Sequence, residues 1–353
     1  MHNWKYAVLG CVLAAGLMAG CGEAEVDGTQ TALTINGEEL SMGTAVFDLR
    51  YQQAETTAAM EAYGMAQNGV LWDQDGGSDD DGNSRTYGEL VKDMIQDSIV
   101  EQVVLRQHAA DYDLSIEPEV QEMIDEAAKT TFESNAEAME KAGVSEENIK
   151  EVLELSSWNT ILFDSMTADV DPVVSDEEAA QSTISYARIK ANTETDGEEV
   201  LDEEDPVTNE EKEALMEDFL AAVQAEEDPA AADFAAVAEG ISDDIFAYTY
   251  SFGSDNAYLA AEVIEASAGM ADGEICDSVI TTEDGYYYVI RMDAAFDKEA
   301  TDAQKETILA QRKQEAYDTL LQEWVDAAEV TTSEAWDQVE LTDSDRWTTA
   351  VGE

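Results

Sequence analysis

The chain has 353 residues, with 81 acidic against 17 basic side chains and a formal charge of −64. That length points to two domains rather than one core. No basic tract exists to follow a phosphate backbone, which argues against nucleic acid and against anionic lipid headgroups as partners. The acid excess favours solubility and attracts basic, unfolded chains.

Residues 1–20 read as a signal peptide. Lys5 supplies the positive start, and the apolar run over 7–20 is too short for a comfortable membrane span. The run ends Leu17-Met18-Ala19-Gly20-Cys21, which resembles a bacterial lipobox. The resemblance implies cleavage before Cys21, a lipid on that residue, and a protein held at the outer face of the bacterial cell membrane. Cys11 falls in the signal, so Cys276 is left without a disulfide partner and stability must come from packing.

Residues 21–31 are a polar tether. A short strand over 32–35 and the turn Asn36-Gly37 lead to a helix from near Ser41 or Thr44 to about Gln67. The acidic stretch 73–84 invites a calcium reading, since Asp79, Asp81 and Asn83 fit the first EF-hand positions. Ser84 and Leu90 stand where that loop needs Gly and Glu, so the stretch reads as an acidic loop with no metal site assigned. Three amphipathic helices come next, over 86–111, 117–141 and 146–166. Leu90, Met94, Ile95, Ile99, Val103 and Val104 recur at helical spacing in the first.

Ser175 and Glu178 form a capping-box pattern for a short helix before a strand over 184–190. Residues 192–206 are an acidic insertion, and Thr208 with Glu211 caps a helix through Ala225. Residues 229–240 hold another helix, 241–256 read as a long loop, and 257–268 as an Ala-rich helix. Two strands over 277–282 and 286–292 flank Glu283-Asp284-Gly285, a strong local hairpin signal. A long helix over 301–328 carries Ile308, Leu309, Tyr317, Leu320, Leu321, Trp324 and Val325.

Several of these stretches carry a family resemblance. The segments YARIK (186–190), FAAVAEGISDD (234–244) and GEICDSVITTEDGYYYVIRM (273–292) resemble a parvulin-type peptidyl-prolyl isomerase domain. TINGEEL and the helices after it are similar to the chaperone region of SurA-like and PrsA-like foldases. The resemblance implies an α+β protein with a helical chaperone domain over 32–182 and an inserted parvulin-like domain over 183–296. A C-terminal helix over 297–330 would return to the first domain, and an acidic tail over 331–353 would end the chain. It also implies unfolded or nascent secreted polypeptides as partners.

Prolyl isomerisation requires no cofactor, nucleophile or metal. The amide barrier is about 20 kcal/mol, and a pocket lowers it by gripping the ring, drying the amide and favouring the twisted bond. By resemblance, Phe252, Leu259 and Val263 stand at the apolar substrate-binding positions, and Arg188, Asp243, Asp244 and Tyr288 at the catalytic ones. Both histidines usual in the family are absent, since the chain holds only His2 and His108. Arg188 beside Asp243 or Asp244 is expected to pair and bridge to Tyr288. Arginine stays charged at every working pH and cannot share a proton as histidine does, so weak or lost isomerase activity is expected. The other reading is an acidic cell-surface lipoprotein that binds a ligand or metal without foldase activity.

Overall fold

The computed structural model describes residues 17–18, 26–64, 71–78, 82–195, 198–199, 207–344 and 347–349. The fold is α+β, and the chain divides into two compact units, Met1–Val170 with Gln314–Glu353, and Asp171–Lys313. Cys21 and all but two residues of the expected signal lie outside the described residues, as do Asp79 and Asp81.

The first unit opens with the hairpin Thr31–Ile35 (β1) and Glu38–Ser41 (β2), turned by Asn36 and Gly37. Ser41 Oγ accepts the Thr44 N–H and starts Met42–Ala62 (α1). Asp75–Ser78 (β3) pairs with Ser84–Thr86 (β4). Tyr87–His108 (α2) begins at a full capping box between Thr86 and Glu89. The helix expected over 117–141 is two, Pro118–Ser134 (α3) and Ala136–Lys141 (α4). Asn135 leaves the helical region at φ −130° and donates its side-chain amide to the Thr131 carbonyl at 2.8 Å. Glu146–Met166 (α5) is capped by Ser145 and Asn148. The apolar stripes of α1, α2, α3 and α5 meet in one core with Leu33, Leu49, Ile99, Val104, Ile124 and Ile149 fully buried.

The second unit is a four-stranded antiparallel sheet with helices. The pattern Ser175–Glu178 yields a turn rather than a helix: Ser175 Oγ accepts the Glu178 N–H, but the Glu178 carboxylate is taken by Arg312. Ser182–Lys190 (β5) is a central strand. Asn209–Ala225 (α6) begins at the Thr208–Glu211 capping box, and Phe234–Glu239 (α7) at Asp233. The loop expected over 241–256 contains a seven-residue strand, Phe246–Phe252 (β6), which pairs along β5. Ala261–Ser267 (α8) comes next in the chain. Of the strand expected over 277–282, Ile280–Thr281 (β7) pairs with Tyr286–Ala294 (β8), and Gly285 closes their turn at φ 81°. The sheet order is β7-β8-β5-β6.

Lys298–Ala327 (α9) begins in the second unit, where fully buried Thr301 accepts the Gln181 N–H, and ends in the first. In the first unit its Tyr317 and Leu321 join Leu105, Trp158 and Leu162 in a small core, and Trp324 stacks on His108 at 3.9 Å. The segment after α9 is not the acidic tail expected from 331. Val330–Thr332 (β9) adds to β1, and Glu334–Asp337 (α10) buries Trp336, whose indole donates to Gln96 at 2.7 Å. Trp72, Trp336 and Trp347 are among the largest fully buried side chains of this unit. Leu341 packs so closely on α2 that a Cβ at Gly88 would meet its carbonyl oxygen at 2.0 Å. Among the described residues no helix is long and apolar enough to cross a membrane.

Candidate functional site

Register decides what the second unit offers. In a strand, alternate residues share a face. Pairing of Arg188 with Tyr288 and Phe246, of Tyr186 with Ile290 and Tyr248, and of Lys190 with Tyr286 therefore gathers these side chains on one face. Tyr258, in the segment before α8, reaches the same group. Its ring lies 5.0 Å from that of Tyr250, and its hydroxyl accepts from Tyr186 at 3.3 Å.

Arg188 sits inside this tyrosine cluster. Its guanidinium carbon is 4.8 Å from the Tyr286 ring centroid, 5.7 Å from Tyr258 and 6.0 Å from Tyr248. These distances are within cation–π range. Its side-chain hydrogen bond among the described residues runs from Nη1 to Tyr288 Oη at 3.2 Å. Burial works against the Arg188 charge, but the bond to Tyr288 and the surrounding hydroxyls outweigh it and raise the pKa further. Burial also raises Tyr288, partly offset by Arg188. The pair is thus a neutral phenol beside a fixed cation, with no proton to exchange near neutral pH.

Two parts of the cluster differ in exposure. Tyr186 and Tyr288 are fully buried, whereas Phe246, Tyr248 and Tyr258 are 55%, 49% and 51% exposed. A cleft of about 440 Å³ opens beside the exposed part, with Arg188, Lys190, Lys212, Asp244, Tyr248 and Tyr286 among its walls.

The expected site residues separate here. Arg188 and Tyr288 do meet. Asp243 and Asp244 are exposed in the turn before β6, and neither pairs with Arg188, so the expected charged pair is absent. The Asp244 N–H instead donates to Ser242 Oγ at 3.2 Å, and the residue stands at the cleft wall. Leu259 and Val263 are core residues of this unit. Phe252, at the end of β6, is half-buried against the same core rather than standing at the cleft. Phe246 and Tyr248 of the aromatic wall come from the stretch expected to form a loop, and Tyr258 from the one expected to form a helix. The alternation Phe246, Tyr248, Tyr250, Phe252 is the signal that could have found it, a period-2 aromatic pattern that reads as a strand.

The opposite face of the sheet carries a second arginine in a different state. Arg291 Nε donates to Asp293 at 2.6 Å, Nη1 to the Ala232 carbonyl at 2.7 Å and Nη2 to Ser185 Oγ at 3.2 Å. Its guanidinium also lies over the Phe234 ring at 5.0 Å. This arginine is a structural tie. Cys276 is buried and receives the Ile290 N–H at its sulfur. Burial raises its thiol pKa, which suits a packing residue rather than a nucleophile.

In the first unit a cleft of about 310 Å³ is lined by Arg85, Lys92, Asp93 and Asp337 among others. Arg85 pairs with Asp93, and Lys92 donates to the carbonyls of Trp336 and Asp337, so its cations are already engaged by the protein. Among the described residues no group of three or more His, Cys, Asp or Glu side chains could hold a metal ion.

No family model matches the chain, and no curated protein matches it. Solved structures to which it is similar include foldase protein PrsA from Streptococcus pneumoniae, at 15% identity over 73% of this chain and 96% of that one, TM-score 0.30. The peptidylprolyl isomerase PrsA from Bacillus cereus is 18% identical over 73% and 91% of the two chains, TM-score 0.30. PrsA from Bacillus subtilis is 14% identical over 77% and 94%, TM-score 0.23. At such identities and TM-scores the functional reading is carried by the residues of this chain.

Proposed function

We propose that the protein is an extracytoplasmic foldase-class chaperone, anchored by lipid at Cys21, that binds unfolded or nascent secreted polypeptides. The observation that carries the reading is the half-exposed aromatic wall of Phe246, Tyr248 and Tyr258 around Arg188, on a sheet whose other face is buried at Ser185, Ala187, Val289 and Arg291. Large exposed aromatics grouped beside a cleft are a binding surface rather than a packing remnant. An extended segment would lay apolar or prolyl side chains on the rings while Arg188 donates to a backbone carbonyl. Residues 183–296 would form the peptide-binding module, with residues 297–330 returning the chain to the helical domain.

Isomerisation at this site would be weak. Ring contact and desolvation favour the twisted amide, and one donor to its carbonyl adds to that. Arg188 and Tyr288 supply a donor and a shape, without the tunable proton of a histidine pair. The test is suppression of aggregation of an unfolded protein by the full chain, alongside a proline-limited refolding assay. The expected result is strong suppression with slow catalysis, both reduced by Phe246→Ala and Tyr248→Ala. A full chain that neither suppresses aggregation nor binds an unfolded client would end the reading.

A further inference from the structure

The cleft beside the tyrosine cluster is unusual for this chain in its charge. With 81 acids and 17 bases, a basic side chain here is rarely far from a carboxylate. Among the described residues, nine lysines and arginines are held in ion pairs, from Arg85 in the first unit to Arg312 in the second. Arg188, Lys190 and Lys212 have no such pair among the described residues, yet all three line one cleft. The carboxylate in its lining, Asp244, pairs with none of them.

The donors of these three groups are only partly used. A guanidinium has five N–H groups, and Arg188 commits one of them to Tyr288 Oη. An ammonium has three, and Lys212 directs two, to the Lys190 carbonyl at 3.0 Å and Asn192 Oδ1 at 2.6 Å. Those two bonds fix Lys212 at the cleft. Lys190 is exposed, two residues from Arg188 on the same face of β5. The tyrosine rings hold the guanidinium plane without consuming its N–H edge, the arrangement best suited to grip a carboxylate through two parallel bonds.

On the basis of the peptide-binding reading, we propose that this cleft recognises an acidic side chain of the bound polypeptide. Arg188 would be the principal contact, Lys190 and Lys212 the supporting charges, and an extended segment with Glu or Asp beside an apolar or prolyl residue the preferred ligand. The large negative charge of the whole protein does not forbid this. At physiological salt, charges beyond about 8 Å are screened, so the cleft's own cations set the local preference. The acid-rich surface elsewhere repels such a ligand, which sharpens its preference for the cleft.

The test uses the full chain and dye-labelled, C-terminally amidated peptides of one sequence with Glu, Gln or Lys before a proline, read by fluorescence anisotropy. Binding of the Glu peptide about tenfold tighter than the Gln peptide is expected, because the carboxylate makes a charge-assisted hydrogen bond that the amide cannot. At physiological salt, where the distant acids are screened, the Lys peptide should be weakest. Raising salt beyond the physiological range should shrink the Glu preference, and Lys190→Gln should reduce it severalfold. Arg188→Gln should abolish it, with circular dichroism confirming the fold. Equal binding of Glu and Gln peptides would overturn the proposal and leave the peptide-binding reading standing. Binding of none of the three would overturn both. If the Gln peptide gains only when its C-terminal carboxylate is left free, the cleft takes chain ends, and the side-chain assignment is wrong.

Discussion

The two faces of the second unit's sheet each hold one arginine, and the contrast separates structural from functional charge. Arg291, 8% exposed, has a protein acceptor at each of its three nitrogens. Arg188, on the other face, is braced by rings and hydrogen-bonded to Tyr288 through one nitrogen. A charge that the fold needs is saturated by the fold. One that the fold leaves open is available to a ligand.

The largest effect expected is on the closed face. Arg291→Ala takes the guanidinium from the Ala232 carbonyl and from Asp293, which keeps the Ser185 hydroxyl at 2.6 Å, and breaking such a largely buried ion pair costs up to about 3–5 kcal/mol. Urea unfolding monitored by near-ultraviolet circular dichroism of the tyrosines should show the second unit melting far earlier. A shift below about 1 kcal/mol would make Arg291 as dispensable as an exposed residue and break the comparison.

Asp48 in α1 tests the same rule from the other side, as a buried charge that is poorly served. It accepts from Gln52 Nε2 at 2.9 Å, and burial pushes its carboxyl up to about 6 from 3.8. Unfolded, the group loses its proton near pH 4, while the folded protein keeps it to about pH 6. The native state therefore binds more protons in that window, and stability falls as pH rises through it. Asp48→Asn should leave stability unchanged below pH 4 and raise it by about 3 kcal/mol above pH 6, from a shift of about two units at 1.36 kcal/mol each. Denaturation curves at both pH values check this, and an equal gain at pH 4 would assign the effect to packing instead.

Two smaller effects belong to the open face. Tyr288→Phe removes the phenol acceptor of Arg188 and should cost about 0.5–1.5 kcal/mol, with peptide affinity falling as the guanidinium loses its brace. Tyr248→Ala should change stability by less than about 0.5 kcal/mol, as for surface substitutions generally, yet weaken peptide binding severalfold in the same anisotropy assay. Loss of stability without loss of binding would mean that Tyr248 serves the core.

Legibility in the sequence depends on how local each signal is. Caps are visible because they act over three residues: Ser41, Thr86, Ser145 and Thr208 all start the helices they announce. The turn at Gly285 is visible for the same reason. Ser175 and Glu178 mislead because a distant residue, Arg312, takes the carboxylate that would have completed the box. The strand Phe246–Phe252 hides in a stretch that reads as loop, and Phe246 and Tyr248 of the aromatic wall hide with it. The Arg188–Tyr288 contact comes from strand pairing, but the isolation of Arg188 from Asp243 and Asp244 depends on where a turn points, which no local pattern encodes. Likewise, Trp336 lies in an acidic segment, and its burial depends on β9 joining a strand from the opposite end of the chain.

The partition of aromatic residues between the units has an optical consequence. All six tryptophans lie outside residues 171–313, and that segment's fluorophores are tyrosines. Light absorbed only by indole therefore reports the helical unit alone, and the tyrosine signal adds the sheet unit. An unfolding experiment read in both colours distinguishes a chain that melts as one cooperative body from one whose two units let go separately, with no label attached.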